Sequence, residues 1–383
     1  EKMNDLGIYC HIPFCIKKCA YCDFPSVSIT GDNEIKGYFD ALHKEIKAFA
    51  MNNKGSTMPR VDTIYFGGGT PSAVSPEYIS ETMALLHKVF TISPDVEQTI
   101  EINPGTLSAE KARIYRESGF NRVSMGLQAW QDDLLKSLGR IHRQADFINS
   151  MNLLKAAGFE NISVDVMYGL PGQSLKDVID TLKALMNFSP THLSCYSLIL
   201  EEGTLMTQRE VRGDISLPDE DAEREMHWKI HEFLESRGYD HYEISSYGQP
   251  GYESRHNLKY WEVIPYCGFG CGAHGFYNGS RYGNTRNLAE YIMAINEGEN
   301  PGANEGILTK DQMMSEWMFL GLRKLKGIDD EAFQRRFGQS FFSIYKDAVH
   351  SLIKKGMLVR DGSIIRLTDR GQDFGNQVFM AFI

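Results

Sequence analysis

The sequence predicts an α/β protein: a parallel sheet flanked by helices, followed by a smaller, mostly helical C-terminal unit. Three observations predict it. Between Gly7 and Leu198 an extended apolar run alternates with an amphipathic stretch six times. The extended runs are short and rich in β-branched and aromatic residues, as parallel strands buried on both faces should be. After Leu198 the alternation stops and helical periodicity dominates.

The expected strands are Gly7–Ile12, Val61–Phe66, Val96–Ile102, Arg122–Leu127, Ile162–Tyr168 and His192–Leu198. Between them lie amphipathic stretches such as Tyr38–Met51, Glu77–Phe90, Ala109–Ser118, Asp146–Ala157 and Ser174–Asn187. Six units over about 190 residues make roughly 32 residues each, the size of a βαβ repeat. Periodicity alone leaves a doubly wound sheet and a partial barrel both open. Next come a helix over Asp219–Arg237, a strand over Tyr239–Ser245 and a Gly- and aromatic-rich region, Tyr247–Asn284. From Thr309 the pattern is helix (Gln312–Leu322), helix (Ile328–Phe337), helix (Ile344–Lys355) and hairpin (Leu358–Leu367). That order resembles a winged helix. Asp347 and His350 mix with Lys354 and Lys355 around its third helix, so a packing role is expected rather than DNA binding. The domains expected are 1–200 for the strand–helix repeats, 201–305 for a region completing them, and 306–383 for the winged-helix-like unit.

With 42% hydrophobic and 23% charged residues the chain is globular and not disordered. A formal net charge of −10 argues against a general nucleic-acid binder, which needs clustered Lys and Arg. No stretch approaches ~18 apolar residues, so no transmembrane helix is expected. The start, Glu1 to Gly7, is short and polar, and a cytoplasmic protein is expected. Seven cysteines, an odd number in a long chain, speak against a secreted disulfide framework. Cys10, Cys15, Cys19 and Cys22 cluster near the start, while Cys195, Cys267 and Cys271 lie far along the chain.

Cys15-Ile-Lys-Lys-Cys19-Ala-Tyr-Cys22 is a C-x3-C-x2-C loop directly after the first strand. Three thiolates on one loop can each hold one iron of a four-iron cubane and leave the fourth iron without a protein ligand. Lys17 and Lys18 would favour the thiolates electrostatically. Structural zinc is the alternative; it wants four ligands, and only His11 or Asp23 lies close enough to be the fourth.

This loop, following His11-Ile-Pro-Phe14, resembles that of the radical S-adenosylmethionine superfamily, and the resemblance implies a partial (β/α)6 barrel with a [4Fe-4S] cluster and S-adenosyl-L-methionine as cofactors. Gly67-Gly68-Gly69-Thr70-Pro71 resembles the family's glycine segment beside the methionyl group. Glycines let a strand edge approach a ligand, and backbone N–H groups can face its carboxylate. Glu101-Ile-Asn-Pro104, Gln128, Arg140 and Asp165 sit at or just beyond the third, fourth and fifth strands, and such folds gather function at the carboxyl ends of strands. Singly, Glu101 and Asp165 read as helix caps and Arg140 as a surface cation. Together they match the coproporphyrinogen-oxidase branch, whose cofactor contacts would here be Tyr9, Glu101, Gln128, Arg140 and Asp165, with Phe24 beside the cysteine loop. An acid suits ribose hydroxyls, and an Arg suits a carboxylate.

Within the oxygen-independent coproporphyrinogen III oxidase-like family, the chain resembles the haem-chaperone subgroup. The oxidase has a further cysteine two residues after the trio, where this sequence has Phe24. It also carries a long N-terminal arm, against about eight residues here before the first strand. His256-Asn257-Leu258-Lys259-Tyr260-Trp261 matches the subgroup's H-N-x-x-Y-W signature. The resemblance implies haem contact by His256, Asn257, Tyr260 and Trp261, since imidazole ligates haem iron and aromatic rings wall a porphyrin. By itself the hexapeptide reads equally as a capped turn with Tyr260 and Trp261 in the core. Cys267 and Cys271, among glycines, are expected to pack as small buried residues, as are Cys10 and Cys195 within strands.

Two functions follow from the resemblance. One is a haem-binding chaperone that passes haem to an acceptor haem protein. The other is a radical enzyme that decarboxylates coproporphyrinogen III or modifies a related tetrapyrrole, using one electron to cleave S-adenosylmethionine to a 5′-deoxyadenosyl radical. Phe24 and the His256 hexapeptide favour the first. Implied partners are haem, an acceptor haem protein and an electron donor such as flavodoxin or ferredoxin, with a homodimer as the assembly the resemblance allows.

Overall fold

The computed structural model describes residues 5–53 and 58–383. Glu1–Asn4, the first part of the short polar start, lie outside the described residues. Six strands, β1 (Leu6–Ile12), β2 (Val61–Gly68), β3 (Ile92–Ile102), β4 (Arg122–Gln128), β5 (Asn161–Tyr168) and β6 (His192–Ser197), lie side by side in chain order. Each adjacent pair is parallel. Right-handed crossovers between neighbours laid down in sequence put every connecting helix on one face, whereas a doubly wound sheet reverses its order midway. Strand order therefore selects the barrel-type winding. The crossover helices are α1 (Asp32–Asn52), α2 (Pro76–Val89), α3 (Ala109–Glu117), α4 (Gln144–Ala156) and α5 (Leu175–Met186).

The strands are buried on both faces, as expected, but the two faces differ in character. Toward the helices point Ile8, Cys10, Ile64, Phe66, Ile100, Val123, Met125, Val164, Leu193 and Cys195, all in the main apolar core. Because side chains alternate along a strand, the opposite face receives Tyr9, Tyr65, Thr99, Glu101, Ser124, Asp165 and Ser194. Register confirms the rows: Tyr9 pairs with Tyr65, Tyr65 with Thr99, Glu101 with Ser124, and Asp165 with Ser194. A polar inner face suits a site.

Residues 201–305 extend both edges of the same sheet. After helix α6 (Glu220–Glu235), β7 (Asp240–Glu243) and β8 (Ser246–Gly248) add antiparallel beyond β6, with a turn at Ile244–Ser245 ending the expected Tyr239–Ser245 strand early. At the other edge β9 (Tyr266–Phe269) runs parallel to β1. Strands β10 (His274–Tyr277), β11 (Ser280–Asn284) and β12 (Gly302–Ile307) then follow antiparallel. The result is one 12-stranded sheet whose parallel part carries the alternating pattern. Helix α7 (Arg255–Trp261) crosses the N-terminal end of the inner face. It is held there by the His256 N–H donating to Glu97 at 3.0 Å and by a Lys259–Asp62 ion pair at 2.6 Å. The hexapeptide thus forms the floor of the half-barrel.

A second apolar core gathers Met314, Met318, Phe333, Phe341, Leu352 and Ile365. Its small sheet places Ile364–Leu367 between Leu358–Asp361 and Ile328–Asp329. The helix expected from Ile328 starts at Asp330, because Ile328–Asp329 pairs as a strand and Asp329 then caps the helix through Glu331 and Ala332 N–H groups. Likewise the helix expected over Ile344–Lys355 occupies Lys346–Lys354. Among the described residues no helix is long and apolar enough to cross a membrane.

Candidate functional site

The cysteine loop leaves β1 and lies over the carboxyl ends of the strands. Phe14–Cys15 pairs with Val27–Ser28, and the Ala20 N–H donates to the Leu138 carbonyl at 3.0 Å, so both sides of the loop are tied down. Cys15 is buried, while Cys19 and Cys22 are half-buried. All three line a cavity of about 130 Å³ together with Phe24, Gly68, Gly69, Thr70, Glu101, Gln128, Arg140 and Asp165. Burial pushes the Cys15 and Cys22 thiols up despite the nearby lysines, so the expected help from Lys17 and Lys18 does not prevail. Lys18 instead donates to the Phe24 carbonyl at 3.2 Å.

The donor set fits a cubane better than a zinc ion. Among the described residues no three His, Cys, Asp or Glu side chains close on a single ion. A cubane does not ask for that, since each thiolate binds a different iron. Zinc would need a fourth ligand, and both candidates are engaged. His11 meets the Tyr9 hydroxyl at 3.0 Å through Nδ1 and the Pro25 carbonyl at 2.7 Å through Nε2. Asp23 faces the Arg286 guanidinium at 3.5 Å.

The glycine segment is close-packed against its own chain rather than held open. A Cβ at Gly69 would stand 2.8 Å from the Phe14 carbonyl oxygen. The Gly69 and Thr70 N–H groups donate to the Ile12 and Phe14 carbonyls, each at 2.8 Å, and the Gly68 N–H donates to Glu101 at 3.1 Å. These three amides are therefore spent on anchoring the cysteine loop and orienting Glu101, a correction to the expectation that they face a ligand carboxylate.

Around the rim, Asn103 joins the parts. Its amide donates to Thr70 Oγ1 at 2.7 Å, and its oxygen accepts from Arg140 at 2.6 Å. Arg140 also donates to the Gly126 carbonyl at 2.6 Å and approaches Cys19 Sγ at 3.6 Å. It is a buried bracket between loop and sheet, not a surface cation. Gln128 sits at a register shift in β4 with φ +75°, a left-handed conformation that turns its side chain into the cavity, where it accepts from Tyr196 at 3.1 Å. Asp165 accepts from Ser124 at 3.3 Å. Burial, with Asp165 adding repulsion, pushes Glu101 up to about 7. Burial likewise pushes Asp165 up.

Sequence reasoning missed Asn103, Ser124 and Tyr196 as cavity residues. Asn103 lay within the Glu-Ile-Asn-Pro segment, and strict alternation from Asp165 would have pointed to the inner face. Tyr9 is not brought to this cavity. It lines an adjoining one of about 260 Å³ with His11, Phe24, Tyr260, Tyr266, His274 and Arg286.

The hexapeptide is divided. His256 is buried, with Nδ1 on Thr63 Oγ1 and Nε2 on the Tyr260 hydroxyl, both at 2.8 Å. Its ring stacks on Tyr65 at 5.2 Å. Asn257 lies in the first turn of α7, its N–H donating to the Ser254 cap at 3.4 Å. Tyr260 and Trp261 line a third cavity, of about 340 Å³, with Val263, Phe276, Arg281 and Leu320. Cys10, Cys195, Cys267 and Cys271 are buried in the apolar core.

Comparison with known proteins identifies the family and the fold. The radical SAM superfamily model matches residues 9–185, and the HemN C-terminal domain model matches residues 308–374. The chain is 38% identical to heme chaperone HemW of Lactococcus lactis over 98% of this chain and 96% of that one. It is equally 38% identical to heme chaperone HemW of Bacillus subtilis, over 98% of both. To that of Haemophilus influenzae it is 33% identical over 100% of this chain and 99% of the other. The solved coproporphyrinogen III oxidase (HemN) of Escherichia coli, a radical SAM enzyme, superimposes with a TM-score of 0.86 over 100% of this chain and 91% of its own. At 23% identity that likeness establishes the shared fold.

Proposed function

The chain belongs to the family of the haem chaperone HemW, within the radical SAM superfamily, and on that premise we propose that it is a cytoplasmic haem carrier. In this reading it holds a [4Fe-4S] cluster on Cys15, Cys19 and Cys22, binds S-adenosylmethionine beside it, and passes haem to an acceptor haem protein. The observation that carries the reading is the convergence of all three cysteines on one cavity with Glu101, Gln128, Arg140 and Asp165.

When bound, the cluster and S-adenosylmethionine supply one-electron cleavage of a sulfonium bond. The chain's own residues do the positioning. Glu101 and Asp165 stand on neighbouring rows of the inner face and can accept from ribose hydroxyls. Gln128, turned inward by its left-handed backbone, would offer its amide to the bound nucleoside. Arg140, already bound to Asn103 and the Gly126 carbonyl, keeps a positive charge against Cys19 and favours the cluster's anionic thiolates. Asn103 and Thr70 brace the loop from beneath. Phe24, 65% exposed, stands where the cysteine-loop cavity meets its neighbour. Tyr260 and Trp261, their rings at 71° to each other, offer aromatic walls to a porphyrin edge.

Anaerobic reconstitution tests both halves of this reading. The protein should take up four irons and four sulfides per chain on the about one-cubane stoichiometry expected of three thiolates. Haem titration of the same preparation should shift the Soret band. Replacing the three cysteines by Ala should abolish iron uptake. Carbon dioxide release from coproporphyrinogen III would favour the oxidase instead.

A further inference from the structure

Resting on the haem-carrier reading, we propose that haem binds in the cavity between the cysteine loop and β10, with His274 as its axial ligand and Arg286 at a propionate. Three histidines stand near the aromatic walls, and they are not equally available. His11 has both ring nitrogens engaged, by Tyr9 and Pro25. His256 also has both engaged, by Thr63 and Tyr260, and is buried under the sheet's inner face. Iron would have to break one of those bonds and reach a ring with 1% exposure.

His274 differs on each count. It is exposed on β10, and no hydrogen bond ties its ring among the described residues. The ring is nonetheless seated: it lies over Gly283, where an added Cβ would stand 2.7 Å from its Cε1. Glycine on the paired strand thus makes room for an imidazole held flat with a nitrogen lone pair to give. The bond it forms is a plain coordinate bond to haem iron, with no electron or proton transferred.

The surroundings suit a porphyrin edge. Tyr9, Tyr260 and Tyr266 line the same cavity, with the Tyr260 and Tyr266 rings edge-on at 4.7 Å. Phe24 belongs both to this cavity and to that of the cysteine loop, so the two sites share a wall. Arg286 is anchored on the Asp23 carbonyl yet 59% exposed, leaving N–H donors for a carboxylate. A cavity of about 260 Å³ encloses only part of a macrocycle, which is what a carrier that must release its cargo requires. In this scheme His256 is a positioning residue: its bond to the Tyr260 hydroxyl sets the aromatic wall, and the hexapeptide acts through Tyr260.

The test is hemin titration of the full-length, anaerobically reconstituted protein, read by Soret absorption and ferric EPR. Wild type should show a nitrogen-ligated spectrum. His274→Ala should lose that signature and weaken hemin binding more than tenfold, with added imidazole restoring the spectrum. Arg286→Leu should weaken binding severalfold with the spectrum unchanged. His256→Ala should keep nitrogen ligation while binding less tightly. The assignment is overturned if His274→Ala keeps the wild-type spectrum and affinity, or if His256→Ala alone abolishes nitrogen ligation with circular dichroism intact. If wild type binds no hemin, the carrier reading falls with it.

Discussion

Glu101 accepts the Gly68 N–H at 3.1 Å through one carboxylate oxygen and the Tyr65 hydroxyl at 2.8 Å through the other. The acid ending one strand is thereby fixed by the glycine segment ending its neighbour, and its remaining lone pairs face the cavity. The same bonds link Glu101 to the cysteine loop, because Gly69 and Thr70 hold that loop.

Burial and then the Asp165 charge push Glu101 up to about 7. Below that value the free protein carries a neutral acid, which is the poorer acceptor for ribose hydroxyls. S-adenosylmethionine affinity should therefore fall as pH drops through about 7, by at most ~10-fold per pH unit for one proton. Glu101→Gln should bind more weakly and without this slope. Calorimetric titration of reconstituted protein across neutral pH measures both; an unchanged slope in the variant would assign the proton elsewhere.

Gly69→Ala should destroy cluster assembly more than fold. The new methyl would press on the Phe14 and Ile12 carbonyl oxygens, at 2.8 and 2.9 Å, and push the cysteine loop off β2. Gly31→Ala is the control, since nothing lies within 4 Å of its added Cβ. Iron and sulfide content after reconstitution should drop severalfold in the first and stay at wild type in the second.

Arg140→Ala should destabilise the protein by about 2–4 kcal/mol, because it strands the buried Asn103 and Gly126 oxygens at once. Arg140→Lys should recover only part, as an ammonium lacks the planar fork. Urea denaturation of the apo forms gives the stability. Removal of a cation beside Cys19 should also shift the cluster's midpoint potential negative in an EPR titration, and Lys should shift it less.

Much of this was legible in the sequence. The C-x3-C-x2-C spacing stood in the residues themselves, whereas Glu101, Gln128 and Asp165 stood out only through the family resemblance, beside the rule that such sheets work at their carboxyl ends. What spacing could not carry was where backbone donors go. Gly67–Gly69 looked like an open cradle, and its close contacts turned out to be with Ile12, Phe14 and His11. The register shift that turns Gln128 inward leaves no sequence mark. Nor does the floor position of His256: a helix seven residues long says nothing of which end of the sheet it will cover.

That floor position gives a last prediction, and its sign can be worked out. Burial, then Lys259 and Arg122, lower His256 to about 3, so the folded protein holds it neutral between Thr63 and Tyr260. The unfolded chain takes up a proton near the ordinary value of ~6.5. The stabilisation from His256 is therefore complete above ~6.5 and is lost as pH falls toward the folded value. His256→Ala should cost about 2–4 kcal/mol at slightly alkaline pH, from a cavity and two unpaired hydroxyls. The gap between wild type and variant should then narrow by up to ~1.4 kcal/mol per pH unit on acidification. Urea midpoints across that range measure it. A gap that stays constant would mean the imidazole is not held neutral beneath the sheet, and its role as the prop of Tyr260 would have to be abandoned.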